Sequence, residues 1–103
     1  MDKIAMLNDI LAQHPGDAFA RYGLALEYAN LGETDTALAQ FDQLLAAHPE
    51  YVPGYQMSAQ LLFKAGRFDT ARQRLEDGIA CATRVGNAHA RGEMEALLDE
   101  IGD

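Results

Sequence analysis

Three histidines, one cysteine and two pairs of adjacent carboxylates are the residues of this chain with the most chemistry to offer. A metal centre would need His14, His48, His89 or Cys81 to lie three or four residues from another such ligand, and none does. His14 and His48 each stand directly before a proline, Pro15 and Pro49, where an imidazole complements the negative end of a helix. Acid–base work on a substrate would need two carboxylates held across a cleft. Glu76–Asp77 and Asp99–Glu100 are sequence neighbours, so on a helix each pair diverges by about 100° and belongs to a solvated face. Cys81 has Arg84 as its one local cation and no histidine beside it, so a packed thiol beneath the helix that follows is expected. No phosphate-binding loop, glycine-rich nucleotide fingerprint or nucleophile elbow occurs. These residues predict no catalytic site, no metal site and no cofactor.

The totals point the same way. A chain of 103 residues suffices for one domain with a modest core, here 1–103. Its net charge of −8 argues against nucleic acid, because phosphate contacts need clustered Lys and Arg. The charge is uneven, since residues 1–51 set eight acids against only Lys3 and Arg21. That imbalance favours solubility, with basic partners as the alternative. A lone Cys81 cannot form an internal disulfide and implies no oxidising compartment. The N-terminal stretch "IAMLNDILA" is a broken apolar run without a basic leader, and nothing approaches the length of a membrane span. The expectation is a cytoplasmic protein that engages neither membrane nor nucleic acid.

What positions these residues is a repeat. "LGETDTALAQF" (31–41) and "AGRFDTARQRL" (65–75) share their landmarks at an offset of 34: Gly32 and Gly66, Asp35 and Asp69, Ala37 and Ala71, Phe41 and Leu75. His14–Pro15 and His48–Pro49 keep the same offset. A period in the thirties signals a stacked array of supersecondary units. Within each period the apolar spacing is helical: Leu24, Ala25 and Tyr28, then Ala37, Phe41, Leu44 and Leu45, then Tyr55, Ala59 and Leu62, then Ala71, Leu75 and Ile79. Gly32 and Gly66 fall where a first helix must stop, Pro15 and Pro49 where a second must. Asp17 is placed to cap a helix N-terminus, and Pro53 suits a first turn. No segment alternates with period two, so the chain reads all-α.

This pattern resembles the tetratricopeptide repeat, a 34-residue helix–turn–helix unit. The resemblance rests on Leu24, Ala25, Tyr28, Gly32, Ala37, Phe41 and Pro49 in repeat 1 (18–51), and on Tyr55, Ala59, Leu62, Gly66, Phe68, Ala71 and Leu75 in repeat 2 (52–85). The pattern departs at Arg21, where the family favours an aromatic, at Ser58, where it favours Leu, and at Thr83, which replaces the closing Pro. The resemblance implies antiparallel helix–turn–helix repeats stacked as a short right-handed solenoid. Residues 2–14 then form an N-terminal half repeat, the second helix of a unit without its first. Its apolar residues Ile4, Met6, Leu7, Ile10 and Leu11 span an arc of roughly 160°. Residues 88–101 form a C-terminal capping helix, with Ala90, Met94, Leu97, Leu98 and Ile101 in an arc of roughly 100° and acids over the rest. Six helices follow.

In this family the first helices line a concave face that commonly binds peptides or protein segments. By helical phase the matching residues are Phe19, Tyr22, Leu26 and Asn30 in repeat 1, and Gln56, Gln60, Phe63 and Lys64 in repeat 2. Aromatics and Leu would hold an apolar side chain, and amides would bond a peptide backbone. Phe19, Leu26 and Phe63 would alternatively pack between units. The clamp of Lys, Arg and Asn that chaperone-binding members resemble one another in is not matched, because Tyr22 and Leu26 stand where it needs a cation and an amide. The expected function is a non-enzymatic interaction module for an unidentified protein or peptide. The rival is a homodimer through the apolar half repeat, with Met6 and Ile10 as its contacts.

Overall fold

The computed structural model describes residues 2–102. Among them the regular elements are six α-helices and no strand: α1 Lys3–Gln13, α2 Ala18–Asn30, α3 Thr34–Ala47, α4 Val52–Lys64, α5 Phe68–Val85 and α6 Ala88–Ile101. They fall into two compact units that divide after His48, with α1 to α3 in the first and α4 to α6 in the second.

In the first unit the Asp2 carboxylate accepts from the Ile4 amide and the Asp17 carboxylate from the Ala20 amide, so α1 and α2 each begin on a capped turn. Leu11, Ala20 and Leu24 are buried together, with Ile4, Leu7, Ile10 and Tyr28 packed against them. Gly32 then turns the chain at a φ of 79°. The Gly32 amide donates to the Ala29 carbonyl and the Glu33 amide to the Tyr28 carbonyl, the paired bonds that close a helix in the left-handed conformation. Because this turn is complete at Glu33, α3 starts at Thr34. Glu33 makes no side-chain cap bond, and Asp35 instead places a carboxylate in the positive first turn. Ala37, Phe41 and Leu44 of α3 are buried. Arg21, which stands where an aromatic is usual, turns its guanidinium to α3 and donates to Gln40 Oε1 at 2.9 Å.

In the second unit α4 begins with Pro53 in its first turn and ends in the same glycine turn, with Gly66 at a φ of 75°. The departure at Ser58 has a local solution. Its hydroxyl is buried, donates to the Gly54 carbonyl at 2.6 Å and accepts from Arg74 of α5 at 3.0 Å. A buried hydroxyl with both roles filled carries little desolvation cost. Helix α5 runs 18 residues against 14 for α3, because Thr83 does not stop it as a proline would. It ends at Gly86 (φ 78°) in a third copy of the glycine turn. Asn87 then caps α6 by accepting from the Ala90 amide. Val52, Ala59, Leu75, Cys81, Ala82, Ala90 and Met94 form the core of this unit, and Leu97, Leu98 and Ile101 pack on it from α6. Glu93, Asp99 and Glu100 stay exposed.

Candidate functional site

On α2 the Asp17 cap fixes where the helix starts and hence which side each of the next residues faces. Phe19, in the first turn, is 76% exposed, an unusual position for a large aromatic. Asn30 is exposed at the far end of the helix, and Leu26 between them is half-buried. Tyr22 leans instead toward its own hairpin, its ring edge-on to Phe41 with centroids 6.4 Å apart.

On α4 the four residues separate in the same manner. Phe63 meets Phe68 of α5 edge-on at 5.5 Å, and Lys64 is exposed in the last turn, where a cation suits the helix end. Gln56 and Gln60 point elsewhere, into a groove of about 360 Å³ whose other wall is α6, with Glu93, Leu97 and Glu100 lining it. Gln56 Nε2 donates to Glu93 Oε1 at 2.8 Å, and His89 Nε2 lies 3.5 Å from the same oxygen. The groove therefore has an apolar strip from Leu97 and Met94 between amides on one side and carboxylates on the other. Sequence reasoning treated α6 as a cap alone and missed this second wall. The signal was present: Glu93 and Glu100 are seven residues apart, on one side of the helix.

The N-terminal candidates also part company. Met6 is 43% exposed, whereas Ile10 packs against the Leu11–Ala20–Leu24 cluster and so has a partner in its own unit. His14 is exposed, while His48 caps α3 and its Nε2 donates to the Gly16 carbonyl at 3.0 Å. Cys81 is buried with Ala90 and Met94 of α6, and its Sγ lies 3.5 Å from the Pro49 carbonyl oxygen. Burial pushes that thiol above its ordinary pKa, with Arg84 opposing and Glu50 adding, as expected of a packed thiol. Burial likewise raises the Tyr55 phenol, reinforced by Cys81 and Asp77 against Arg84 and Arg74, and its hydroxyl donates to the Pro49 carbonyl at 2.7 Å. Among the described residues no three His, Cys, Asp or Glu side chains gather as a metal-binding group, and no helix is long and apolar enough to cross a membrane.

Helical hairpins closed by one recurring glycine turn, each with wholly buried small residues facing its partner helix, define a helix–turn–helix repeat protein. The comparisons with known proteins agree. The family model for the tetratricopeptide repeat matches residues 28–92. A TPR repeat-containing protein of Pseudomonas aeruginosa is 28% identical over 95 residues, covering 92% of this chain and 90% of the relative. A solution structure of a tetratricopeptide repeat domain protein from Salinibacter ruber superimposes with a TM-score of 0.80 at 30% identity, over 85% of this chain and 89% of that one. The TPR2B domain of yeast Sti1, solved in complex with pHsp70, shares the fold with a TM-score of 0.87 at 18% identity, over 95% of this chain and 78% of that one. The chain belongs to the tetratricopeptide repeat family. That fold generally mediates protein–protein interaction, and its domains are typically non-enzymatic scaffolds.

Proposed function

We propose that this protein is a non-enzymatic binding module that takes a peptide or protein segment against the faces of its first helices. The observation that carries the reading is the groove between α4 and α6, lined by Gln60, Leu97 and Glu100 beside the bonded Gln56–Glu93 pair. Paired amide and carboxylate edges match the alternating donors and acceptors of an extended backbone, and the strip takes one apolar side chain. In the first unit the exposed Phe19 and Asn30 of α2 offer the same combination of an aromatic and an amide. A groove of this size holds a short segment, so affinity is modest unless a second contact adds to it. We place this work in the cytoplasm, where a single reduced thiol such as Cys81 is at home.

Site-directed photo-crosslinking in native cells tests the reading. A benzophenone side chain at Gln60 or at Phe19 should capture a discrete partner, and one at the exposed Thr83 of α5 should not. Equal capture from all three positions, or capture from Thr83 alone, would remove the first-helix faces as the binding surface.

A further inference from the structure

The fold leaves two half repeats at opposite ends of the described chain, and their chemistry is matched. Among the described residues α1 is a second-type helix with no first helix before it, since His14–Pro15 repeats His48–Pro49 at the end of α3. Conversely, among the described residues α6 is a first-type helix without a second-type helix packed on it. Its Asn87 cap, Ala90, Arg91 and positive-φ Gly102 match the Asp17 cap, Ala20, Arg21 and positive-φ Gly32 of α2 at a constant offset of 70. In the first unit α3 packs on α2. The equivalent flank of α6 is an open groove of about 620 Å³ with an apolar floor of Ile79, Ala80 and Leu98, rimmed by the carboxylates of Glu76, Glu95 and Asp99.

We propose that this groove is filled by α1 of a second copy, so that two chains complete one repeat between them. The register decides which residues meet. In the α2–α3 hairpin Arg21 bonds Gln40 and Tyr22 touches Phe41, which sets Ala25 level with Ala37. In the α4–α5 hairpin Ala59 and Ala71 occupy the same two positions, 34 residues on. All four alanines are fully buried, the small–small contact on which each hairpin closes. Transferred to the split repeat, the position of Ala25 is occupied by Glu95 and the position of Ala37 by Lys3. The alanine pair is thus replaced by an acid on one end and a base on the other. Lys3 is one of only two bases in the first 51 residues, and it meets the rim of three carboxylates.

Longer side chains at the contact hold the two helices further apart than in an alanine-closed hairpin, which interhelical distances accommodate. A paired charge at that point fixes register and direction. Met6, the exposed large apolar residue of α1, reaches the new contact beside Lys3. Asp9 does not enter it, because its counterparts Gln43 and Asp77 are exposed on α3 and α5. The contact is heterologous, so each copy offers both halves of it and association continues past two copies.

Sedimentation equilibrium with charge reversal tests this. The wild-type protein should show a mass that keeps rising beyond the dimer with concentration. Lys3→Glu and Glu95→Lys should each weaken association about tenfold or more. The two variants mixed should recover it, because every junction in an alternating chain then joins opposite charges. The Lys3→Glu/Glu95→Lys double variant should recover it too, and it keeps the wild-type net charge of −8. Both side chains are well exposed in the single chain, so folding is preserved and helicity confirms it. Glu27→Gln, which removes the Lys3–Glu27 ion pair within one chain and one negative charge, should not weaken association. A strictly monomeric wild type overturns the proposal. So does a dimer that stops at two copies and responds to Met6→Glu but to neither charge reversal, the signature of a two-fold pairing of half repeats.

Discussion

At the scale of single residues the two repeats differ by coordinated replacements. The first has Arg21 and Leu44 where the second, 34 positions on, has Tyr55 and Gly78. A glycine in mid-helix ordinarily costs about 1 kcal/mol relative to alanine. Here it makes room: a Cβ on Gly78 would lie 2.7 Å from the Tyr55 Cβ and 2.6 Å from the Met94 sulfur. The Met94 thioether can swing aside, but the Tyr55 Cβ is tied to the α4 backbone. Gly78→Ala is therefore expected to destabilise by roughly 1–3 kcal/mol, the cost of overpacking outweighing the gain in helix propensity. Gly92 of α6 is the control, since a Cβ there meets nothing within 4 Å. Gly92→Ala should stabilise by about 0.5–1 kcal/mol. Urea denaturation of the two variants beside wild type checks the opposite signs, and a neutral or stabilising Gly78→Ala would mean that α4 and α5 separate without cost.

At the scale of elements, what was legible in the sequence was whatever local chemistry dictates. The cap at Asp17 and the glycine turns at Gly32 and Gly66 follow from residue type alone, because a carboxylate beside free amides or a glycine at positive φ works wherever the chain goes next. The end of α5 was less legible. Thr83 stands where the proline would, and a residue that permits a helix does not say how far the helix continues. Gly86 ends it, and a side chain there must enter the left-handed region at a cost of roughly 1–2 kcal/mol. Gly86→Ala should thus lower Tm by several degrees, with fraying of the last turn of α5 visible in amide exchange. Gly86→Asn should lose less, because asparagine tolerates that conformation. The candidate surface was half legible. Helical phase assigns Tyr22 and Phe63 to a side of their helices, but only packing shows that they lean on Phe41 and Phe68. The wall that α6 contributes was missed because its acids were read only as solvation.

At the scale of the whole molecule the dominant quantity is charge. A net charge of −8 makes every copy repel every other, while the contact between Lys3 and Glu95 attracts at one place only. The two effects differ in range, and salt separates them. At 0.01 M ionic strength the Debye length is about 30 Å, so the full charge of each copy is felt across a molecule of this size. At 0.15 M it is about 8 Å, which quenches the long-range repulsion but leaves a partly desolvated pair at contact distance much less affected. Head-to-tail association should therefore strengthen between 0.01 M and 0.15 M salt, the reverse of what an exposed ion pair alone would give. Between 0.15 M and 1 M the repulsion has little left to lose, while the Lys3–Glu95 attraction is still being screened, so association should level off or decline. The Lys3→Glu variant carries more net charge and a like-charged contact, so across the low-salt range it should gain from screening while remaining weaker than wild type at every point. Sedimentation across this salt series checks the non-monotonic course. Association that falls steadily from the lowest salt would mean that contact attraction, and not net charge, governs how copies of this protein meet.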